Sequence, residues 1–402
     1  MAINFAAPND STTMTNSTNS ELLDSLMDEM RAAVTPVSVF VGIEMVIGFF
    51  GNLLVLYVFL FRYHHCNFRY FVLCLACLDF TSTVTTMPAE ILSQQFWYTY
   101  PFPTVCTMKS FFNMFTISGE ALCLFVIAVD RHRKVCFPLG WQVHPRQALV
   151  LCFFIFATAI LITLPVPFLF GTHNDVKLYA GRNVTVRVCE KDMAYVNSKM
   201  PFNYALSVLG ILATSFLIMF ILYVKIFRKI SGKKTNFKRD AGFVSNSDTP
   251  RKCEKRTSVF TINEVEMPGT LAGNTSDNTS VGYATDNDSA CSDAKKTAAE
   301  PVKRTTRHHK SKIPGSARRK TYISLVLTVV FLLTTALYLV LLTFIARGIL
   351  ETLTNMQRAF YFLGFRLVFI NHVINPLVYG CLDPQFTKVL NDVKKCCRRK
   401  NT

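Results

Sequence analysis

The chain has 402 residues, of which 50% are hydrophobic and only 17% are charged, yet its formal net charge is +17. In a soluble protein this charge would suggest a nucleic-acid partner, but the apolar residues form seven long stretches that a soluble domain cannot bury. Each stretch is close to the ~20 residues that a helix needs to cross a hydrocarbon core. We therefore predict an all-α membrane protein with no nucleic-acid partner. The predicted spans are 36–61, 68–93, 104–129, 147–170, 202–227, 321–346 and 359–381.

Polar segments separate and flank these spans. The loop between spans five and six is rich in Ser, Thr, Asp, Asn and Lys and has no apolar periodicity, so we expect it to be disordered. The predicted segments are an extracellular N-terminal tail (1–35), spans one to five (36–230), the third inner loop (231–317), spans six and seven (318–381) and an amphipathic helix with the cytoplasmic tail (382–402).

The positive charge gives the spans an orientation. Lys and Arg are concentrated after spans one, three, five and seven, which share one face of the membrane if the spans alternate. Because Lys and Arg near span ends mark the cytoplasmic side, we expect a plasma-membrane protein with its N-terminus outside and its C-terminus inside. The excess charge also suits contact with anionic membrane lipid.

Modification sites are predicted on both sides of the membrane. Sequons for N-glycosylation at Asn9, Asn16 and Asn183 fall on the predicted outer face. Cys396 and Cys397 lie among Lys and Arg residues just inside the membrane, a setting typical of palmitoylation reinforced by anionic lipid.

Two of the thirteen cysteines fall on the predicted outer side. Cys106 opens span three, and Cys189 lies in the loop between spans four and five. Because only that compartment is oxidising, we expect the two to form a disulfide. In the same loop, apolar and polar residues alternate around Ala180-Gly181-Arg182, which predicts a β-hairpin.

Four motifs in the predicted spans resemble those of the rhodopsin-like G-protein-coupled receptors, over residues 36–397 or so. The resemblance implies a seven-transmembrane helix bundle with a short amphipathic eighth helix, which here contains Phe386. The hairpin in the second extracellular loop is similar to that of the peptide and neuropeptide receptors. The motifs are Gly51-Asn52-Leu53-Leu54-Val55, Leu75-Ala76-Cys77-Leu78-Asp79, Asp130-Arg131-His132 and Asn375-Pro376-Leu377-Val378-Tyr379.

The resemblance implies a signalling role at the inner end of the bundle. In the family, the arginine of span three pairs with its neighbouring acid at rest and meets the C-terminal helix of a heterotrimeric G protein on activation. Arrestin and receptor kinases are further implied partners. The residues expected to act in coupling and activation are Asp130, Arg131, Leu139, Tyr223, Asn375, Pro376 and Tyr379.

The sequence departs from the family pattern in three spans. In span six, Phe331 is followed by Thr334-Thr335-Ala336-Leu337, so the usual tryptophan and proline are missing. Ser215 stands where span five usually has a proline, and Trp141 precedes span four instead of lying within it. Span six should therefore be straighter. A second interpretation is a receptor-fold protein that binds ligand or partner receptors but couples poorly to G proteins.

A polar cluster is expected at the membrane midplane. Asp79 resembles the sodium-binding aspartate of the family, and Glu120 stands where the family usually has a serine. Two buried carboxylates cannot both stay charged unless a cation joins them, and that cation is a sodium ion at Asp79, a shared proton or the imidazolium of His372. A neutral, hydrogen-bonded Glu120 without an ion is the alternative, and no other cofactor is expected. The predicted cluster is Asn52, Asp79, Glu120, Asn371, His372 and Asn375.

A second polar pair is predicted between spans one and seven. These spans are neighbours in the family, and an isolated arginine at the depth of Arg366 would be very unfavourable. We expect Arg366 to form an ion pair with Glu44, with a ligand-facing role as the alternative.

The ligand is expected to be an extracellular peptide. Asn113 occupies the position of the aspartate that anchors monoamines in this family, while Pro88 and the Phe96-Trp97 pair resemble the peptide receptors. Glu90 would suit a basic or amidated peptide group. The residues expected to line the upper cavity are Glu90, Gln94, Lys109, Asn113 and Tyr338.

Other functional classes lack support in the sequence. We find no catalytic Ser/His/Asp set, phosphate loop or metal-ligand spacing, so an enzyme is not expected. A transporter would show internal repeats or paired broken helices, and a channel would show a repeated pore-lining motif.

Overall fold

The computed structural model describes residues 10–243, 315–346 and 352–400, and the side chains within 19–231, 315–344, 352–392 and at 395. The chain divides into two units, Met1–Lys238 with Ile313–Thr402, and Arg239–Lys312. Of the second unit, only the end of a helix lies among the described residues.

Several sequence predictions fall outside this description. They concern most of the third inner loop, the sequon at Asn9, and the side chains of Asn16, Cys396 and Cys397.

Within the described residues, seven helical segments are long and apolar enough to cross a membrane, in agreement with the seven predicted spans. Each overlaps one predicted stretch, because apolar runs of this length are the strongest signal in the sequence. In order, the spans are Asn19–Phe61, Asn67–Gln95, Pro103–Cys136, Pro145–Leu169, Met200–Ser231, Gly315–Phe344 and Asn355–Leu382.

Helices and strands have the following bounds. The helices are α1 (Asp10–Phe61), α2 (Asn67–Thr81), α3 (Met87–Gln95), α4 (Pro103–Cys136), α5 (Pro145–Thr163), α6 (Val166–Leu169), α7 (Met200–Phe243), α8 (Gly315–Ala346), α9 (Asn355–Arg366), α10 (Ile370–Leu382) and α11 (Pro384–Lys400). The strands are β1 (Thr172–Tyr179) and β2 (Arg182–Cys189).

The first helix begins well before the predicted span. Met27, Met30 and Val34 are buried at helical spacing in a segment that is otherwise polar. This apolar stripe packs towards Trp97 and Phe362, beside the first loop on the hairpin side and the start of span seven. The N-terminal segment therefore continues as a helix because it has a small apolar face of its own to bury.

Spans two and seven each contain an irregular turn. In span two, the π-helical turn Ser82–Thr86 precedes Pro88, which has no N–H to donate to the helix ladder. In span seven, the 3₁₀ turn Leu367–Phe369 separates α9 from α10. Each turn changes the rotation per residue. The side chains of its span that lie nearer the loop between spans four and five therefore point in other directions than an ideal helix would give them. Span six, by contrast, runs without a break through the described residues of α8.

The loop between spans four and five forms the predicted hairpin. β1 and β2 pair antiparallel from Thr172 opposite Cys189 to Tyr179 opposite Arg182. The two-residue turn has positive φ at Ala180 (50°) and Gly181 (75°), which favours glycine at the second position. Backbone hydrogen bonds attach the hairpin to the loop after span two: Arg187 N–H donates to the carbonyl oxygen of Tyr98, and the carbonyl oxygen of Arg187 accepts from Tyr100 N–H. The predicted Cys106–Cys189 disulfide is confirmed.

An aromatic core fills the opposite end of the bundle. Phe59, Tyr63, Phe68 and Tyr379 lie against one another, and Phe386 of α11 packs on the same group, with its ring centroid 6.0 Å from that of Phe59. The predicted short helix after the bundle is confirmed, and Phe386 holds it against spans one and seven.

Candidate functional site

Three ionisable side chains meet in the centre of the bundle, and we call Asp79, Glu120 and His372 the central cluster. All three are buried, and their ligand-type atoms lie within 4.8 Å of one another. His372 Nδ1 is 3.2 Å from Asp79 Oδ1 and also contacts the carboxylate of Glu120. Two acids therefore face one imidazole, so one negative charge stays uncompensated if all three groups are ionised.

Asparagines support the central cluster from spans one and seven. Asn375 donates its amide N–H to Asp79, and Asn52 donates to the backbone carbonyl oxygen of His372 at 2.7 Å. Gly51 permits the close approach of span one, because a Cβ there would lie 2.8 Å from a proline carbon of span seven.

Asn371, which directly precedes His372, forms a hydrogen bond with span six. Its Oδ1 accepts a hydrogen bond from Thr334 Oγ1 at 3.0 Å, which ties span seven to span six. The donor set that remains is mixed. The carboxylates of Asp79 and Glu120 suit a sodium ion, whereas the imidazole nitrogen of His372 suits a softer metal or serves as the cation itself.

A second charged group lies on the hairpin side, and we call Glu90, Lys109 and Arg366 the hairpin-side cluster. Glu90 is buried, and its Oε1 accepts a hydrogen bond from Arg366. Its Oε2 lies 3.4 Å from Lys109 Nζ, which also donates to Ser93 Oγ at 2.9 Å. Both carboxylate oxygens of Glu90 are thus engaged by cations from spans three and seven.

The predicted ion pair between Glu44 and Arg366 is wrong. Arg366 pairs with Glu90, and neither carboxylate oxygen of Glu44 has a hydrogen-bond partner among the described residues. Ideal helices in spans one and seven would place Glu44 and Arg366 at similar depth in neighbouring spans. Arg366 instead ends α9 directly before the 3₁₀ turn, which changes the rotation per residue and turns its side chain towards span two.

The other residues expected to line the upper cavity have separate contacts. Gln94 is fully buried and accepts a hydrogen bond from Ser38 of span one at 2.7 Å. The ring of Tyr338 lies 4.4 Å from that of Phe365, beside Arg366. Asn113 is half-buried on span three. The structure therefore brings Glu90 and Lys109 together, while Gln94 faces span one and Tyr338 faces span seven.

The third charged group lies at the opposite end of the bundle, and we call Asp130, Arg131 and Lys134 the Arg131-side cluster. Asp130 and Arg131 form a buried ion pair, and Lys134 Nζ lies 3.0 Å from Asp130 Oδ2. Asn67 donates to the other carboxylate oxygen at 3.1 Å. The guanidinium of Arg131 also lies over the ring of Phe68, 5.8 Å from its centroid. This is the paired arrangement that the family resemblance implies for the resting state.

The remaining residues of the implied coupling set lie in several parts of the bundle. The hydroxyl of Tyr223 is 3.1 Å from Thr328 Oγ1 and so links spans five and six. Tyr379 is buried in the aromatic core, and Pro376 lies inside α10. Leu139 is fully exposed in the loop after span three, which leaves an apolar side chain free for a partner.

Lys320, which no motif singled out, also reaches this end of the bundle. Its Nζ lies 5.3 Å from the ring centroid of Phe68 and 5.6 Å from that of Tyr63. Burial and the carboxylate of Asp383 raise the pKa of Tyr63, so its hydroxyl stays protonated and donates to Asp383 at 2.8 Å. Span six is therefore joined to the end of span one by cation–π contacts.

A cavity of about 1070 Å³ lies at the same end, between spans five, six and seven and α11. Its walls combine apolar side chains such as Tyr223 and Ile226 with basic ones. The basic side chains are Arg318, Arg319, Lys388 and Lys395.

Seven membrane-length helices, an Asp-Arg-His end to span three and an Asn-Pro-x-x-Tyr segment in span seven define a class of membrane receptor. Residues 51–379 match the family described as 7 transmembrane receptor (rhodopsin family). The chain belongs to this family of G-protein-coupled receptors, and it is a multi-pass protein of the plasma membrane. The family is one of receptors and not of enzymes.

Neuropeptide receptors are among the relatives of this chain. Neuropeptide Y receptor type 4-2 of Homo sapiens is 28% identical over 156 residues, which is 36% of this chain and 38% of the relative. Neuropeptide Y receptor type 4 of Mus musculus is 24% identical over 217 residues, or 49% of this chain and 53% of the relative. The matched segments thus span about half or less of these relatives.

Proposed function

We propose that the protein is a receptor that binds an extracellular neuropeptide and activates heterotrimeric G proteins. The observation that carries this proposal is the buried Asp130–Arg131 pair at the end of the bundle that also holds a large cavity. A buried arginine that is held by one acid can change partners when a neighbouring helix moves. The similarity to neuropeptide Y receptors supports a peptide as the ligand.

The proposed mechanism begins with the contacts that hold span six. At rest, Lys320 joins span six to Phe68 and Tyr63, and Tyr223 joins it to span five. Binding of the ligand at the hairpin end favours a state in which span six moves outward and the cavity widens. Arg131 then leaves Asp130 and donates to the C-terminal helix of the G protein.

The remaining assignments complete the proposal. The hairpin end faces the outside, so that Asn183, which is exposed on β2, is open to glycosylation together with Asn9 and Asn16. Cys396 and Cys397 carry palmitate in a basic stretch of sequence that attracts anionic lipid. Arrestin and receptor kinases bind the same end as the G protein. A sodium ion in the centre is held by Asp79, where it competes with the imidazole of His372.

A second candidate is a receptor that binds ligand but couples poorly to G proteins. The observation that favours it is the unbroken α8, which lacks the proline and tryptophan found in span six of the family. Without a proline kink, a small rotation of the helix gives less outward movement of its end.

One experiment separates the two candidates. Cells that display the receptor are challenged with a neuropeptide library. Second-messenger release and the binding of each peptide to the receptor are recorded separately. Signalling that Arg131→Ala abolishes at equal surface density supports the first candidate. Binding without any signal from the unmutated receptor, towards every class of G protein, would establish the second.

A further inference from the structure

We infer that the hairpin-side cluster is a binding site for a carboxylate group of the ligand, which Arg366 and Lys109 hold. The inference rests on the proposed function, because it assumes that a ligand enters from the hairpin end. It names the chemical group that this ligand presents.

The charge of the cluster is the first observation. One carboxylate faces two cations, and all ion pairs of Arg366 and Lys109 within the described part of the chain are made with Glu90. Their side chains are only 10% and 15% exposed, so solvent compensates the surplus poorly. A buried positive charge without its own counter-ion is costly, and a bound anionic group would remove that cost.

An unmet hydrogen-bond donor is the second observation. Arg366 as a whole is more than nine-tenths buried. Its Nε is among the buried atoms and has no hydrogen-bond partner among the described residues. Arginine donates through five N–H bonds in a fixed planar fork, and only one side of this fork is directed at Glu90. The guanidinium therefore has a donor available for a second carboxylate.

The surroundings favour an acid that is attached to an apolar body. The guanidinium of Arg366 lies over the ring of Phe365, 4.8 Å from its centroid, and Tyr338 packs on that ring. Lys109 also lines a groove of about 220 Å³ between spans two and three, together with Met108 and Phe112. The cations are thus bordered by apolar surface on both sides.

The same contacts argue against a basic or amidated ligand group at Glu90. Each oxygen of Glu90 already lies against a cation, so an incoming basic group would meet two like charges. The ligand class is therefore a carboxylate: a peptide C-terminus, an acidic side chain, or the head group of a lipid acid.

Binding of a small probe to the purified full-length receptor in neutral lipid discs tests this inference without a G protein. The probe is sodium benzoate, compared with benzamide as its neutral analogue, in a sodium fluoride background of constant ionic strength. The dissociation constant is read from the shift in thermal unfolding midpoint. We expect benzoate to bind, and benzamide to bind about tenfold more weakly or not at all.

Charge variants should weaken or tighten benzoate binding according to the charge that each one removes. Arg366→Gln should weaken benzoate binding about tenfold or more, and Lys109→Gln should weaken it less. Glu90→Gln should tighten it, because the acid that competes for both cations is gone. Arg187→Gln, which removes an exposed arginine of the hairpin, is the matched control and should bind benzoate as the unmutated receptor does. A loss of folding in Arg366→Gln leaves Glu90→Gln as a sufficient test.

The contrary results are equally specific. Equal binding of benzoate and benzamide, or benzoate affinity that Glu90→Gln does not raise, would overturn the inference. Binding of chloride with exclusion of benzoate would reduce the cluster to a site for a small ion and would also overturn it.

A cell assay identifies the source of the carboxylate. The neuropeptide library is applied as free acids and as C-terminal amides, with decanoate as the lipid acid. A response to free acids or to decanoate supports the inference and names the source. A response to amides alone, with no benzoate binding, would overturn it and leave the proposed receptor function intact. Benzoate binding without any signal would instead count against coupling alone.

Discussion

At each end of the bundle, one buried carboxylate is shared by an arginine and a lysine, whereas in the centre two buried carboxylates share one imidazole. Glu90 and Asp130 are the acids at the two ends, and the centre holds the acids Asp79 and Glu120. The ends therefore have a surplus of donors, and the centre has a surplus of acceptors.

The two ends differ in what surrounds the surplus charge. At the Arg131 end, the lysine side chain is 27% exposed and an asparagine donates to the acid as well, so protein and solvent stabilise the pair together. At the hairpin end, the lysine is 15% exposed, and within the described residues the partners of Glu90 are the two cations alone. The Arg131-side cluster therefore suits a contact that breaks and re-forms, whereas the hairpin-side cluster suits the binding of an anionic ligand group. The predictions below test this difference.

The largest effect is expected from loss of the disulfide, which anchors the hairpin over the hairpin-side cluster. Cys106→Ser and Cys189→Ser should each lower surface expression strongly, since loss of a disulfide typically costs about 2–5 kcal/mol. Because the two thiols form one bond, the double variant should be no worse than either single one. Surface staining measures this. Mass spectrometry that finds both thiols free in surface protein would contradict the prediction.

Removal of the arginine at the opposite end should affect signalling and not folding. In Arg131→Ala, Asp130 keeps Lys134 and Asn67 as partners, so the acid is not left unpaired. We expect the signalling response to an active library peptide to be abolished, while the affinity of the receptor for that peptide changes less than about threefold. Arg146→Ala, an exposed arginine at the start of span four, is the control. Full signalling by Arg131→Ala at equal surface density would remove Arg131 from the coupling mechanism.

The parts of the fold that the sequence predicts depend on local patterns. Apolar length located the spans, alternation around Gly181 located the hairpin, and the compartment argument paired Cys106 with Cys189. The contact of Asp79, Glu120 and His372 followed from the family resemblance, because residues at matching depth in neighbouring spans face one another.

The parts that the sequence does not predict depend on helix rotation and long-range packing. Arg366 reaches Glu90 because a 3₁₀ turn breaks the ideal periodicity of span seven, and no residue in that turn is unusual for a helix. The contact of Lys320 with Phe68 joins residues that are far apart in sequence. The one available signal was the presence of single basic residues at the borders of otherwise apolar spans.

A smaller effect is expected when the contact between span six and the aromatic core is weakened. Lys320→Ala removes two cation–π contacts, each worth about 0.5–1 kcal/mol at a site of this exposure. If these contacts hold span six at rest, ligand-independent signalling should rise about fivefold. Lys320→Arg keeps the cation and should resemble the unmutated receptor. Basal second-messenger levels at matched surface density decide the matter, and equal levels in all three proteins would show that the contact does not control span six.

The smallest effect is expected in the centre, where the surplus is of acceptors. Glu120→Ser removes one of the two acids that His372 contacts and restores the residue usual in the family. The imidazole is then held by Asp79 alone, so a sodium ion competes with it more effectively for the carboxylate. We therefore expect agonist affinity to depend more strongly on sodium, by about two- to fivefold between sodium-free and physiological buffer. Radioligand binding of an active peptide across sodium concentrations measures this.

Glu120→Gln is the control that separates charge from shape, because it keeps the length of the side chain and removes only its ionisation. If the surplus negative charge decides what the centre binds, the glutamine variant should follow Glu120→Ser. If the size of the side chain decides, it should follow the unmutated receptor. Identical sodium responses in all three proteins would show that Glu120 is a neutral, hydrogen-bonded residue of the core. In that case the centre would carry no surplus charge, and the contrast between centre and ends would reduce to the two clusters at the ends.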